Sequence, residues 1–144
     1  MTITDVNAFC LDGRLAADTI RLGSYPLCEV LLMNDAQYPW VILVPRHQNI
    51  CEIHQLADAD QQQLMKESVF TAAQMQKHFF ANKMNVAALG NMVPQLHIHH
   101  IARFTSDAAW PKPVWGVNPV QPYAEVELEK LKTELQQLFA AMLL

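Results

Sequence analysis

The sequence predicts an α+β domain in which an antiparallel sheet of about five strands packs with one long central helix and a C-terminal helix. Short runs of aliphatic and β-branched residues between turn residues favour strands. Two longer stretches instead repeat apolar residues at the three- and four-residue spacing of amphipathic helices. We expect a single domain over residues 1–144, with its core in about 8–116 and an extension containing the last helix in about 117–144.

The first half of the chain predicts a β-hairpin. Residues 15–22 fit either a helical turn or a short strand. Residues 27–33 and 40–44 are short, mostly aliphatic runs that favour strands, and Pro45 ends the second of them. Because only six residues (34–39) separate the two runs, we expect their strands to pair antiparallel.

Two amphipathic helices are expected further along the chain, after a short helical turn in residues 50–56. Asp58, with Gln61 three positions later, has the pattern of an N-cap with a capping box. The apolar residues that follow predict a long helix over about 59–81. Apolar positions at helical spacing predict the C-terminal helix over about 125–144.

Residues 84–89 and 95–103 favour two more strands, so that the strands would form a meander. Residues 107–116 contain two Trp and two Pro, a combination that no regular element holds comfortably. We expect this segment to be an ordered loop that is docked by its aromatic side chains.

The composition excludes several classes of partner. A net charge of −4 gives no general attraction to nucleic acid or to anionic membranes, and no apolar run approaches the length that spans a bilayer. The three cysteines are odd in number and lack a CxxC spacing, which favours reduced thiols over a disulfide framework. We therefore expect a cytoplasmic protein without nucleic-acid or membrane partners.

The most informative segment is QLHIHHIAR, residues 95–103, which holds three of the six histidines. Side chains alternate faces along a strand, so Gln95, His97 and His99 should share one face while His100 points to the other. Buried imidazoles cost desolvation free energy unless a ligand or a partner satisfies them. His97 and His99 therefore form the candidate site, and His100 is expected to be a packed or interface histidine.

Three interpretations compete for His97 and His99. In the first, they are core histidines whose hydrogen bonds are satisfied. In the second, they ligate a metal ion whose remaining ligand is His47 or a carboxylate such as Asp35 or Glu52. In the third, one imidazole attacks an electrophile while its neighbours stabilise charge. Two histidines on one face beside other polar residues favour the third interpretation over the first.

Residues 90–103 (GNMVPQLHIHHIAR) resemble the signature of the histidine triad (HIT) superfamily, a Gly-polar pair followed by His-φ-His-φ-His-φ-φ with φ apolar. In this frame Gln95 stands at the first triad position, His97 at the second and His99 at the third. The resemblance covers roughly residues 27–116. It extends to the segment VILVPRH and to the pairs Asn34-Asp35, Met84-Asn85 and Trp110-Pro111.

The resemblance implies a HIT-like fold, a homodimer, a purine nucleotide or dinucleotide as substrate, and neither cofactor nor metal. It implies a hydrolase or nucleotidyl transferase in which His97 attacks the α-phosphorus of a nucleoside phosphoramidate or a dinucleoside polyphosphate, such as diadenosine tetraphosphate. A covalent nucleotidyl-histidine would form, with His99 and Gln95 completing the catalytic set. Asp35 would accept the ribose hydroxyls. The implied substrate contacts are Asn91, Asp35, Asn85, Gly90 and His47.

Several residues depart from the family pattern. Gln95 replaces the first histidine and can hydrogen-bond but cannot shuttle a proton. Asn91 is one methylene shorter than the family's common Gln, and Met92 stands where many members carry Ser or Thr. Trp40 lies where some members carry a further histidine. The residue at the nucleophile position matches the family, whereas the residues that would assist it differ. A weakly catalytic nucleotide-binding sensor or scaffold is therefore the alternative function.

Overall fold

The computed structural model describes residues 8–144, in which it shows five strands and three α-helices and confirms the expected α+β fold. One 3-10 turn, Ile53–Gln55, lies where a short helical turn was expected. The helices are α1 (Gly13–Asp18), α2 (Asp58–Phe79) and α3 (Glu125–Leu138). The strands are β1 (Thr19–Ser24), β2 (Cys28–Met33), β3 (Trp40–Pro45), β4 (Lys83–Ala87) and β5 (Ile98–Arg103).

The strand order is β1-β2-β3-β5-β4, and every neighbouring pair is antiparallel. The strands therefore do not form the expected meander, because β5 inserts between β3 and the edge strand β4. Helix α2 supplies the connection that allows this order, carrying the chain from β3 to the far edge of the sheet. As a result His99 lies in the interior of the sheet, where it is paired with Ile42 of β3 and Ala87 of β4.

Strand β5 begins at Ile98, three residues later than the sequence pattern indicates. The residues before it bond elsewhere: the amide of Leu96 donates to the carbonyl of Ile50 at 2.9 Å. The carbonyl of Gln95 accepts a hydrogen bond from the ring of His97 at 2.7 Å. Gln95 is thus not a strand residue, and the alternation of a strand does not determine where its side chain points.

The ends of two helices also differ from the sequence prediction. The N-cap of α2 is Ala57, whose side chain cannot cap, and Asp58 is instead the first helical residue. Asp58 and Asp60 place negative charge in the first turn, where it is stabilised by the helix dipole. Helix α3 ends at Leu138, because the fully buried Phe139 turns into the core.

The two faces of the sheet are packed differently. One face packs against α2 and α3 through a large apolar cluster that includes Val41 and Leu43. His100 lies on this face, is fully buried and shares a 2.8 Å hydrogen bond with Ser68 of α2, as expected for a packed histidine. The opposite face carries a smaller apolar cluster that includes Leu15 and Ile42, and it leaves room for a cavity.

Arg103, at the end of β5, holds the loop that follows in place through hydrogen bonds. It is 1% exposed, and its Nε donates to Asp107 at 2.7 Å while Nη1 donates to Asn85 at 2.7 Å. Its guanidinium also lies over the ring of Trp110 at 5.7 Å. The prediction that aromatic side chains dock residues 107–116 is therefore confirmed. Arg103 anchors a carboxylate and a backbone carbonyl, that of Lys112.

Within residues 8–144 no helix combines the length and the apolar character needed to cross a membrane.

Residues 15–22, for which either a helical turn or a short strand was expected, contain parts of both, because α1 ends at Asp18 and β1 starts at Thr19.

Candidate active site

A cavity of about 510 Å³ opens on the face of the sheet opposite α2. Its polar groups come from the loops at either end of the sheet and from the start of β5, including Asp35, Asn91, His97 and His99. The remaining lining is mostly apolar or aromatic: Leu15, Met33, Trp40, Ile42, Leu89, Met92, Val93, Val114, Trp115 and Val120. The cavity is thus an apolar cleft with a few polar groups, which is typical of small-molecule sites.

One ring nitrogen of His97 hydrogen-bonds to the backbone, and the other has no hydrogen-bond partner in the part of the chain that the structure describes. Its Nδ1 lies 2.7 Å from the carbonyl oxygen of Gln95, which can only accept a hydrogen bond. Nδ1 therefore carries the proton, and in the neutral ring Nε2 keeps its lone pair. The side chain lines the cavity and its residue is 7% exposed. A neutral imidazole held in this tautomer is a competent nucleophile at pH 7.

His99 is held in the opposite tautomer. The indole Nε1–H of Trp40 donates to Nδ1 of His99 at 3.0 Å, and an indole nitrogen can only donate. Nδ1 of His99 must therefore be unprotonated, so the ring proton sits on Nε2. Burial, and the neighbouring His97 and His100, lower the pKa of His99 to about 3, which keeps this ring neutral at physiological pH.

The two histidines are close enough to act on one substrate atom. Their ring centroids are 4.8 Å apart and the rings meet edge to face at 73°. The ring of His97 offers a lone pair on its Nε2, and the ring of His99 offers an N–H on its Nε2. This arrangement provides a nucleophile next to a hydrogen-bond donor, which suits attack on a phosphorus that carries negatively charged oxygens.

The turn before the pair contributes further polar groups. Gly90 has φ of 74°, a left-handed conformation that side chains disfavour, and this explains a glycine at this position. Asn91 lines the cavity next to it. Met92 also lines the cavity and is 77% exposed, so the place where many family members carry Ser or Thr holds no hydroxyl here.

Asp35 lies in the cavity wall after β2 and is 3% exposed. Its Oδ1 accepts from the backbone amide of Gln37 at 3.1 Å, from the side-chain amide of Gln37 at 3.0 Å and from the amide of Gln121 at 3.4 Å. These bonds all use the same oxygen. Oδ2 has no hydrogen-bond partner among residues 8–144, which leaves it to accept from a ligand. A buried carboxylate next to an apolar wall is well suited to accept from hydroxyl groups.

Three residues singled out from the sequence lie outside the cavity lining. The side chain of Gln95 bonds the backbone of Cys10 and Asp12. Asn85 accepts from Arg103, because β4 is the edge strand on the side where the loop docks. His47 is half-exposed and pairs with Asp60 of α2 at 2.9 Å, and both residues line a separate, open cavity. None of the three is therefore placed to touch a ligand in the cleft.

Other lining residues were not identified from the sequence. Leu15 of α1, Met33 and Val114 form apolar wall, while Leu31 is fully buried beneath it. Trp115 stacks edge-on against His99, with ring centroids 5.0 Å apart. The Trp-rich composition of its loop was the signal for docking, but the sequence does not show against which residues the loop docks.

No group of three or more His, Cys, Asp or Glu side chains among the described residues is arranged to hold a metal ion. At the site itself, Nδ1 of His99 accepts from Trp40, so its Nε2 carries the proton and is not available as a metal ligand. His47 pairs with Asp60 and lies outside the cleft.

Comparison with protein families and with solved structures gives a consistent result. The profile of the HIT domain family matches residues 14–106. None of the curated proteins compared with the chain matches it significantly.

Three solved structures are similar over almost the whole chain. A histidine triad protein from Marinobacter aquaeolei VT8 is 53% identical, with a TM-score of 0.91 over 94% of this chain and 98% of that one. A histidine triad protein from Bradyrhizobium japonicum is 45% identical, with a TM-score of 0.88 over 90% and 97% of the two chains. One from Sinorhizobium meliloti 1021 is 43% identical, with a TM-score of 0.87 over 90% and 96%.

Proposed function

The chain belongs to the HIT family, and we propose that it is a nucleotidyl hydrolase or transferase whose nucleophile is Nε2 of His97. One observation carries the proposal: the Gln95 carbonyl fixes the proton of His97 on Nδ1, so that Nε2 keeps its lone pair in a ligand-sized cleft. Membership of the HIT family supports the same assignment, because the resemblance of residues 90–103 to the family signature puts His97 at the second triad position.

The reaction proceeds in two steps. Nε2 of His97 bonds to the α-phosphorus while the bond from phosphorus to the leaving group breaks. The leaving group departs with that electron pair, and the nitrogen of a phosphoramidate takes a proton from solvent as it leaves. The ring becomes positively charged, and the Gln95 carbonyl on Nδ1–H stabilises it. Water then attacks the phosphorus, the phosphorus–nitrogen bond breaks, and its electron pair returns to Nε2 as a proton is released to solvent.

Two donors and one acceptor orient the nucleotide. Nε2–H of His99 and the side-chain amide of Asn91 donate to the phosphoryl oxygens, where negative charge increases in the transition state. The free Oδ2 of Asp35 accepts the ribose hydroxyls. The apolar wall around Ile42 holds the purine base.

The charges in the cleft favour phosphoramidates over dinucleoside polyphosphates. Among the described residues that line it, none is Lys or Arg, whereas Asp18 and Asp35 are acidic. A polyphosphate chain carries several charges that would need cationic partners. A single α-phosphate joined to an amine needs only the donors already present. We therefore place nucleoside phosphoramidates first among the substrates.

The decisive experiment is a panel of purine nucleoside phosphoramidates and dinucleoside polyphosphates tested on the wild type, on His97→Ala and on His54→Ala. His54 is exposed on the 3-10 turn and serves as the matched control. We expect turnover of phosphoramidates in the wild type and the control, and a loss of more than about a thousandfold in His97→Ala. Intact-protein mass spectrometry should detect a nucleotidyl adduct in the wild type and in His54→Ala but not in His97→Ala. Tight nucleotide binding without turnover would favour the sensor function instead.

We also infer that the protein is a homodimer formed across β4 and α2. Within residues 8–144, strand β4 lies at the edge of the sheet and pairs only with β5, which leaves its outer backbone groups available for a second strand. Met65 and Val69, one turn apart on α2, are 64% and 58% exposed, and Val86 on β4 is 49% exposed. Such a patch is typical of a protein interface.

Light scattering tests the dimer, with Met65→Glu as the disrupting variant and Val126→Glu as the control. Val126 is 78% exposed on α3, away from the proposed interface. The wild type and Val126→Glu should have twice the mass of one chain, and Met65→Glu should approach the mass of one. A wild type with the mass of one chain at micromolar concentration would reject the dimer.

The three described cysteines are unpaired, which supports the cytoplasm as the site of action.

A further inference from the structure

We propose that Trp40 is a positioning residue that holds His99 as a neutral donor, with its ring proton on Nε2, and thereby fixes the role of His99 as a stabiliser of phosphoryl charge. The tautomer rests on geometry alone. The catalytic consequence rests on the proposed function, because it assumes that a phosphoryl group occupies the cleft.

The geometry leaves one protonation state for His99. Trp40 is 5% exposed at the start of β3, so its indole N–H needs a partner inside the protein. That partner is Nδ1 of His99, 3.0 Å away on the adjacent strand. A neutral ring that accepts at Nδ1 carries its proton on Nε2. A positively charged ring would carry protons on both nitrogens and would set two donors against each other.

This constraint distinguishes two roles for His99. A proton shuttle must alternate between the neutral and the charged ring, and each cycle would break the hydrogen bond from Trp40. A charge stabiliser needs only a fixed N–H, and the hydrogen bond from Trp40 holds the ring proton of His99 on Nε2 throughout the cycle. Trp differs here from a histidine at the same position, because an imidazole can either donate or accept. Trp40 therefore restricts His99 to the second role.

The chain also contains a matched control for this bond. Trp115 contacts His99 from another side, with ring centroids 5.0 Å apart, compared with 5.6 Å for Trp40. Only Trp40 donates a hydrogen bond to the ring of His99 among the described residues. Replacement of either Trp by Phe keeps an aromatic ring beside His99, but only Trp40→Phe removes a hydrogen bond from it.

Long-range ¹H–¹⁵N correlation spectra of the ¹⁵N-labelled protein test the tautomer without any variant. The histidine signals are assigned by their loss in His99→Gln. In the wild type at pH 7 we expect an unprotonated Nδ1 and a protonated Nε2 for His99. A wild-type His99 with its proton on Nδ1, or with averaged tautomers, would overturn the proposal. Trp40→Phe should give averaged tautomers, whereas Trp115→Phe should keep the wild-type pattern.

Turnover tests the catalytic consequence. We expect Trp40→Phe to lower kcat about tenfold, because His99 loses its fixed orientation, with little change in KM. In the His99→Gln background the same substitution should lower kcat no further. An equal loss in both backgrounds would show that Trp40 acts through general structure and not through His99. If the wild type turns over no nucleotide, the proposed function fails, whereas the spectra still decide the tautomer.

Discussion

The carbonyl oxygen of Gln95 lies 2.7 Å from Nδ1 of His97, while the side chain of Gln95 points away from the cleft. The side-chain amide donates from Nε2 to the carbonyl of Cys10 at 2.9 Å and accepts at Oε1 from the amide of Asp12 at 2.9 Å. Gln95 therefore orients His97, the proposed nucleophile, through its backbone and anchors the segment before α1 through its side chain.

Replacement of Gln95 by Ala should reduce stability more than chemistry. The variant loses two hydrogen bonds, which predicts a decrease of about 1–3 kcal/mol in the free energy of unfolding. The carbonyl that holds His97 remains, so kcat should change less than about threefold. KM should rise, because Asp12 caps α1 and α1 carries Leu15 into the cleft wall. Chemical denaturation and steady-state kinetics measure these effects. A large loss of kcat at unchanged stability would instead place the Gln95 side chain in the chemistry.

Local sequence patterns were sufficient to predict much of this fold. The six-residue gap between β2 and β3 indicated a hairpin, and the alternation along β5 placed His100 on the face opposite His99, where it meets Ser68. These features are determined by residues that are close together in the sequence. The position of β5 between β3 and β4 is not determined in this way, because the strand order depends on how α2 packs across the sheet.

The site was only partly predictable for a related reason. His97 and His99 could be identified because they are close in sequence, but their tautomers depend on partners from distant or irregular segments. Trp40 is 59 residues from His99 in sequence and reaches it only because β3 and β5 are neighbours. Gln95 precedes β5, where alternation no longer applies, so its position in the motif did not show that its side chain bonds residues 10–12.

Asp35→Asn should weaken the binding of ribonucleotides specifically. A carboxylate that accepts from ribose hydroxyls contributes about 1.5–3 kcal/mol, so KM should rise about ten- to a hundredfold. For a 2′,3′-dideoxy substrate the same substitution should have little effect, because the hydroxyls are already absent. Asp18→Asn is the control, since Asp18 lines the same cleft but is exposed. An equal rise in KM for both sugars would show that Asp35 does not recognise the ribose.

Asp107→Asn should strongly destabilise the fold. Burial raises the pKa of Asp107, but hydrogen bonds from Arg103 and from the amides of Phe104, Ala109 and Trp110 outweigh it and lower the pKa to about 2. The variant leaves Arg103 buried without its charge partner, which costs about 3–5 kcal/mol. The control is Arg21→Ala, which breaks a pair whose arginine is 62% exposed and should cost less than about 1 kcal/mol. Similar losses in the two variants, measured by urea unfolding, would contradict a structural role for the buried pair.

Stability should fall as the pH is lowered from 7 to 5, and His100 should account for part of the fall. Burial lowers the pKa of His100 to about 4 and that of His99 to about 3, whereas both rings titrate near 6.5 in the unfolded chain. Between these values only the unfolded chain binds the two protons, so acid favours unfolding. Each group then contributes a loss of about 2 kcal/mol between pH 6.5 and pH 5.

The variant His100→Leu isolates one of these two groups. It keeps a side chain of similar size on the α2 face, and Ser68, which is only partly buried, can bond water instead. Urea unfolding at pH 7, 6 and 5 should show that the loss of stability in acid is smaller in His100→Leu than in the wild type by about 2 kcal/mol at pH 5. The same pH dependence in both proteins would mean that His100 is protonated in the folded state, and that the buried ring finds compensation for its charge.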